Sequence, residues 1–175
     1  KYMYVMTNPP GVDRKIRVRY SETEIVEHAS ALKHELAREA LRLHGIEDRM
    51  EIDSMADLPA GTGVGSSSAY LVGLLLALHQ YRRAFVTLET LAEEACFIEL
   101  NILKKPIGKQ DQYMAAFGGL TVLEIMHNGE VDVRQVSLRE SAVTELVNHT
   151  HIYYTGLSRS ATKLLEQQNA AMNGN

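Results

Sequence analysis

Tryptophan is absent from the 175 residues, cysteine occurs once and proline four times. With Cys96 the single thiol, no internal disulfide can form, and a reducing cytoplasm is the expected setting. Its neighbours Ala95, Phe97 and Ile98 are apolar, which describes an inert buried thiol better than a reactive one. Long hydrophobic runs are also missing. The longest, residues 69–78, is interrupted by Gly73 and reaches about half of the roughly 20 residues a membrane span requires. Basic charge is in deficit, 18 Lys and Arg against 22 Asp and Glu, for a formal net charge of −4. That balance disfavours a protein that coats nucleic-acid phosphates and suits a small-molecule substrate. Nothing at the start has the form of a signal peptide, and no repeat or low-complexity segment is present.

What remains is ordinary globular material, 45% hydrophobic and 23% charged, of a length for one domain or one domain and part of another. The opening residues 1–7 alternate like a strand already under way, and the polar 173–175 trail off a helical run. Both ends are therefore expected to be cut from something longer.

Residues 2–7 and 16–20 have strand character, separated by a turn-rich Asn8-Pro-Pro-Gly stretch, and a meander or hairpin is the expected arrangement. Ser21 and Glu24 stand at capping-box spacing. Ile25, Ala29, Leu32, Leu36, Ala40 and Leu43 then recur every three or four residues, so one long helix is expected to end near Gly45. Residues 51–55 form a short strand candidate that leads to the loop at Pro59. Residues 66–81 predict a helix apolar nearly all round, hence central and buried. Another helix is expected over 88–103, stopped by Pro106, and a shorter one over 111–117. Strands at 120–126 and 131–136 flank an Asn-Gly turn. Residues 144–154 are β-branched enough to predict one more strand, and 158–168 a helix. Strands and helices mix without strict alternation, which favours an α+β fold.

Three segments carry chemistry. Around Pro59, the sequence Leu58-Pro-Ala-Gly-Thr-Gly-Val-Gly-Ser-Ser-Ser-Ala69 sets Gly61, Gly63 and Gly65 at alternate positions, directly before a helix. Glycine permits backbone geometries that other residues resist, and a helix start offers unpartnered N–H groups and a positive dipole end to an anion. Ser66, Ser67 and Ser68 add hydroxyls for phosphate or magnesium. The segment lacks the lysine of a Walker loop and the Gly-x-Gly-x-x-Gly spacing of a dinucleotide loop. The bland alternative is a flexible glycine turn into a buried helix. In the second segment, Glu99 shares a stripe with Leu88, Ala92, Ala95, Ile102 and Leu103. A carboxylate on such a face calls for a partner, either a buried ion pair or a metal. In the third, Lys105-Pro-Ile-Gly-Lys-Gln-Asp-Gln-Tyr113 leads to Gly118-Gly119. Here Asp111 stands where a carboxylate caps the short helix that follows. Lys109 would hold Asp111 ionised or contact phosphate, unless it is simply exposed.

The first segment resembles the Pro-x-x-x-Gly-Leu-Gly-Ser-Ser-Ala-Ala motif of the GHMP kinases. Pro59, Gly63, Gly65, Ser66, Ser67 and Ala69 match, while Val64 and Ser68 depart mildly. Within that family the likeness is strongest to sugar kinases of the D-glycero-D-manno-heptose 7-phosphate kinase type. It is carried by residues 60–68, by Pro106-Ile-Gly-Lys-Gln-Asp-Gln-Tyr113 and by Tyr153-Tyr-Thr-Gly-Leu-Ser-Arg-Ser-Ala161.

The resemblance implies an ATP- and Mg²⁺-dependent phosphotransferase acting on the anomeric hydroxyl of a sugar or sugar phosphate. Its fold would be a two-layer sheet and helices like ribosomal protein S5 domain 2. An N-terminal ATP-binding domain over 1–155, lacking its first segment, would lead into the start of a C-terminal domain at 156–175. The resemblance further implies that Pro59, Gly61, Gly63, Gly65, Ser66, Ser67 and Ser68 wrap the nucleotide phosphates. Ser67, with Ser66 as its rival, would join Glu99 on magnesium, and Asp111 would be the base with Lys109 beside it. Thr155 and Arg159 would face the substrate, or serve as a solvated helix cap. The expected setting is the cytoplasm, with no nucleic-acid or membrane partner, and a homodimer is compatible with it. The family's N-terminal sugar-binding motif and C-terminal Gly-rich motif do not occur in the chain. Alternatives are a galactose- or fucose-type kinase of the same family, or a non-catalytic sugar or nucleotide sensor on the same fold; an RNA-binding module on that fold is disfavoured by the acidic charge. Among the histidines, His34-Glu35 lacks a second histidine, and His149-x-His151 makes a weak zinc case.

Overall fold

The computed structural model describes residues 2–57 and 63–153. A four-stranded sheet is backed by helices on one face, and a separate hairpin lies beyond them. The strands are β1 (Met3–Asn8), β2 (Ile16–Arg19), β3 (Thr23–Val26) and β4 (Met50–Ala56), in the spatial order β1-β4-β2-β3. β1 therefore pairs with β4, Met3 opposite Ala56, and not with β2 as the turn between them suggested. β2 runs antiparallel to β3 and parallel to β4, so the chain must cross over between β3 and β4. That crossover consists of a short 3₁₀ turn, Ala29–Ala31, and helix α1, Glu35–Leu43.

The expected long helix over 25–43 is thus broken into a strand, a turn and a shorter helix. The capping-box reading of Ser21 and Glu24 fails with it. Glu24 lies on β3, and its carboxylate accepts the backbone N–H groups of Lys33 and His34 at 2.6 and 2.9 Å. It satisfies a helix start from a neighbouring strand, which spacing along the chain does not reveal. His34 completes the cap, its Nδ1 accepting the Ala37 N–H at 3.2 Å.

Helix α2 spans Ser66–Tyr81, as the sequence predicts, and is the axis of the core. Leu71, Leu74, Leu75 and Leu78 are fully buried against Ile16 and Val18 of β2, Met50 and Ile52 of β4, and Ala37, Ala40 and Leu41 of α1. Gly73 lets α2 lie directly on β1, since a Cβ there would stand 3.1 Å from a Val5 methyl. Helix α3 covers Leu88–Cys96 and continues as a π-helical segment, Phe97–Ile102, in which the Leu103 N–H reaches the Ile98 carbonyl at 2.9 Å. Helix α4, Gln110–Phe117, then precedes β5, Thr121–Ile125, and β6, Val131–Gln135, an antiparallel hairpin. A smaller core of Ala92, Cys96 and Tyr113 joins α3 and α4 to this hairpin. Burial there pushes the Cys96 thiol up to about 12, so it is inert as expected.

The strand expected over 144–154 is overturned. Helix α5 occupies Glu140–Asn148 and buries none of its residues. With no facing strand among the described residues to reward β-branched Val143, Thr144 and Val147, their local preference did not decide the structure. Among the described residues no helix is long and apolar enough to cross a membrane. The helix expected over 158–168 and the domain boundary at 155 lie outside the described residues.

Candidate active site

The start of α2 gathers the chemistry. Its N-cap is Gly65, in the left-handed region at φ 67°, and Gly63 before it has φ 74°. A side chain at residue 65 would be strained by that backbone and obstructed as well. A Cβ built there falls 3.2 Å from Cγ and 3.3 Å from Oδ2 of Asp111. The glycine therefore leaves room for the carboxylate close beside the helix start. First-turn amides of a helix lack intrahelical acceptors, so a partial positive charge meets this point from the backbone alone. Asp111 is exposed, in the first turn of α4, at the edge of a cavity of about 230 Å³ that also includes Tyr2, Val64 and Met114.

One turn into α2 the hydroxyls face a buried acid. Ser67 Oγ donates to Glu99 Oε1 at 3.0 Å, and Ser68 Oγ donates to Glu99 Oε2 at 2.7 Å. Glu99 itself is 1% exposed. Two further donors meet it, Gln112 Nε2 at 2.6 Å and the Lys105 ammonium at 3.4 Å. Lys105 also reaches Glu35 on α1 at 3.0 Å. The ion-pair reading of Glu99 is thus met by Lys105, and Ser67 and Ser68 bond to the same carboxylate. Its place in the π-helical segment brings it to the serines.

Lys109 is engaged away from Asp111. Its ammonium lies 2.8 Å from a Glu93 carboxylate oxygen and donates to the Gly129 carbonyl at 2.8 Å. Tyr113 donates its hydroxyl to the same Glu93 carboxylate. Burial alone would raise the Glu93 pKa, but the bonds from Lys109 and Tyr113 outweigh it and hold the acid below its ordinary value.

Of the residues singled out in the sequence, Gly63, Gly65, Ser67, Ser68, Glu99 and Asp111 come together around the first turn of α2. Ser66 opens that turn. Pro59, Gly61, Thr155 and Arg159 lie outside the described residues. Sequence reasoning missed Lys105 and Gln112 as partners of Glu99. Gln112 has no exposed surface, and its position one residue after Asp111 at the start of a short helix gave no sign of this.

Two hydroxyls and a carboxylate supply the oxygen atoms that a hard divalent cation takes, and the Lys105 ammonium beside Glu99 would have to give way to it. Gln112 Oε1, buried beside Glu99, has no hydrogen-bond partner among the described residues and is a further oxygen acceptor in the cluster.

Comparison with known proteins places the fold. A curated relative, D-glycero-alpha-D-manno-heptose 7-phosphate kinase of Campylobacter jejuni subsp. jejuni serotype O:2 (strain ATCC 700819 / NCTC 11168), is 31% identical over 117 residues, 67% of this chain and 34% of the relative. The chain thus spans about a third of that protein's length. The crystal structure of a D-glycero-D-manno-heptose 1-phosphate kinase from Bacteriodes thetaiotaomicron superposes with a TM-score of 0.73 at 26% identity, covering 82% of this chain and 51% of that one. Mevalonate kinase of Methanococcus jannaschii shares the fold, with a TM-score of 0.58 at 16% identity over 76% of this chain and 45% of that one. Residues 21–119 match the family described as GHMP kinases N terminal domain, and the chain belongs to that family.

Proposed function

We propose that this chain supplies the phosphate-binding and catalytic part of an ATP-dependent sugar kinase that phosphorylates an anomeric hydroxyl, that of D-glycero-D-manno-heptose 7-phosphate. The observation that carries this reading is the close approach of Asp111 to Gly65, because it sets a carboxylate beside the helix start where an anion would be held. In this reading the loop from Pro59 to Ser68, Gly61, Gly63 and Ser66 included, wraps the nucleotide phosphates through its amides and hydroxyls. Asp111 accepts the proton of the attacking hydroxyl. Ser67 and Glu99 would hold Mg²⁺, which when bound offsets the negative charge of the β- and γ-phosphates. Lys109, fixed by Glu93 and Gly129, anchors the start of α4 and so positions Asp111 two residues on. Thr155 and Arg159 face the sugar. Residues 1–155 form the nucleotide-binding domain and 156–175 begin a second one, in a cytoplasmic enzyme. The likeness to heptose phosphate kinases supports the choice of substrate.

The test is ATP consumption by the full-length protein over a panel containing heptose 7-phosphate, galactose and fucose, with Asp111→Asn alongside. Turnover is expected with heptose 7-phosphate and is expected to be lost in the variant while ATP still binds. Turnover with galactose or fucose alone would reassign the substrate. Binding without turnover on any sugar would make the protein a sensor. Undiminished turnover in Asp111→Asn would remove Asp111 as the base.

A further inference from the structure

At the far end of α2, away from the serines, three side chains from three helices converge. His44 is the C-cap of α1, His79 lies in the last turn of α2, and Glu94 lies on α3. One ligand atom from each lies within 4.8 Å of the other two. His79 Nε2 is 2.8 Å from Glu94 Oε2, and the two imidazole rings meet edge to face with centroids 4.7 Å apart. His44 is 6% exposed, and its Nε2 is buried without a hydrogen-bond partner among the described residues. A buried ring nitrogen left unpaired is costly unless something meets it. Nothing in the proposed phosphoryl transfer uses these residues.

We propose that His44, His79 and Glu94 form a binding site for a borderline transition-metal dication of the Zn²⁺ or Co²⁺ class, which fastens α1, α2 and α3 together. Two imidazoles and one carboxylate make the mixed nitrogen and oxygen set that such ions take, whereas Mg²⁺ and Ca²⁺ prefer oxygen alone. Bonds of about 2.0–2.1 Å in a tetrahedral shell put ligand atoms about 3.3 Å apart, so side-chain adjustments of about 1 Å suffice. A ligand imidazole must be neutral, and His44 Nε2 is buried with no hydrogen-bond partner among the described residues to compete for it. Arg82, whose guanidinium donates to the His44 carbonyl at 2.5 Å, is a neighbouring positive charge, and Glu94 offsets it. The His79 and Glu94 side chains keep 14% and 25% of their exposure, which leaves room for water as a fourth ligand.

The chain, stripped of metal by dialysis against a chelator, is titrated with Co²⁺ and followed by visible absorption. One equivalent is expected to produce the intense bands of a low-coordinate nitrogen and oxygen site, and Zn²⁺ is expected to abolish them. His79→Gln and Glu94→Gln should each weaken Co²⁺ by about tenfold or more. Glu99→Gln should leave the bands in place, which separates this site from the serines. Because His44 variants risk misfolding, the unmodified chain gives a second reading by NMR. Zn²⁺ must shift the ring signals of His44 and His79 and leave exposed His127 unmoved. No bands, bands that persist in His79→Gln, bands lost in Glu99→Gln, or unmoved His44 and His79 signals would each overturn the proposal.

Discussion

The two ends of α2 use the same helix in opposite ways. At its start, Gly65 removes side chain so that Asp111 lies close to the backbone, and Ser67 and Ser68 turn hydroxyls onto Glu99. At its finish, about 20 Å along the axis at 1.5 Å per residue, two imidazoles and a carboxylate close the gap between three helices. The start is assembled largely from a contiguous run of sequence and opens to the surface at Asp111 and Ser67. The finish is assembled from residues far apart in the chain and is mostly enclosed. Chemistry that must accept a ligand's charge sits where the backbone is bare. Side chains that join packed helices sit where the backbone is covered.

Changes at the start should affect turnover, and changes at the finish should affect stability and metal binding. The largest expected effect is that of Asp111→Asn, which should lower sugar phosphorylation by about 10²–10⁴-fold, measured as ATP consumption, with the melting temperature unchanged because Asp111 is exposed. His79→Gln, in the same assay, should leave turnover as it is.

Lys105→Met comes next and blurs the division deliberately. It leaves Glu99 buried without its cation, and urea unfolding should show a loss of about 3 kcal/mol. An unchanged midpoint would mean that Ser67, Ser68 and Gln112 satisfy the carboxylate by themselves.

A matched pair of glycines separates strain from obstruction. Gly45 and Gly65 share φ values of 63° and 67°, yet a Cβ at 45 meets nothing within 4 Å while one at 65 meets Asp111 at 3.2 Å. Alanine at either position should cost about 1–2 kcal/mol of stability, but only Gly65→Ala should also reduce turnover. Equal turnover in the two variants would sever Gly65 from the chemistry.

The smallest effect concerns the cap of α1. His34 accepts the Ala37 N–H through Nδ1, so the cap works only while the imidazole is neutral. Burial holds its pKa below the ordinary value; Glu24 and Glu35 favour protonation and Lys105 opposes it, beside the rings of Tyr20 and Tyr70. The unfolded chain takes up this proton near pH 6.5, and the folded chain resists it until lower pH. Stability should therefore fall as pH drops below about 6.5, and level once the folded value is passed. His34→Asn keeps a cap of about 1 kcal/mol that does not titrate, and its unfolding midpoint should vary less with pH over this range. An identical slope in the variant would contradict the assignment.

Local pattern sufficed wherever one element decided its own fate. The bounds of α2 followed from its apolar surface, the β5–β6 hairpin from its Asn-Gly turn, and the glycine and serine run from its composition. The sequence failed where partners are remote. β1 lies beside β4 because of a crossover that no local turn encodes, and Glu24 caps a helix across the gap between strand and turn. Residues 144–154 look suited to a strand, yet 144–148 belong to a helix, since β propensity is rewarded mainly by packing against a neighbouring strand. In the candidate site, Glu99 was visible as a charge on an apolar stripe. Lys105 and Gln112 were not, because only the fold brings them to it.

The π-helical segment has a consequence for how this region tolerates change in length. A wide turn of this kind holds one residue more than an α-helix would place there. Phe97, at its beginning, is half exposed, so many side chains are expected to be accepted at that position. Removing residue 97 altogether is a different matter. The segment would tighten to an ordinary helix, and Glu99, inside the tightened turn, would rotate by part of a helical step and out of line with Ser67 and Ser68. An insertion or deletion here would silence the serine–carboxylate cluster with no change to any of its own residues.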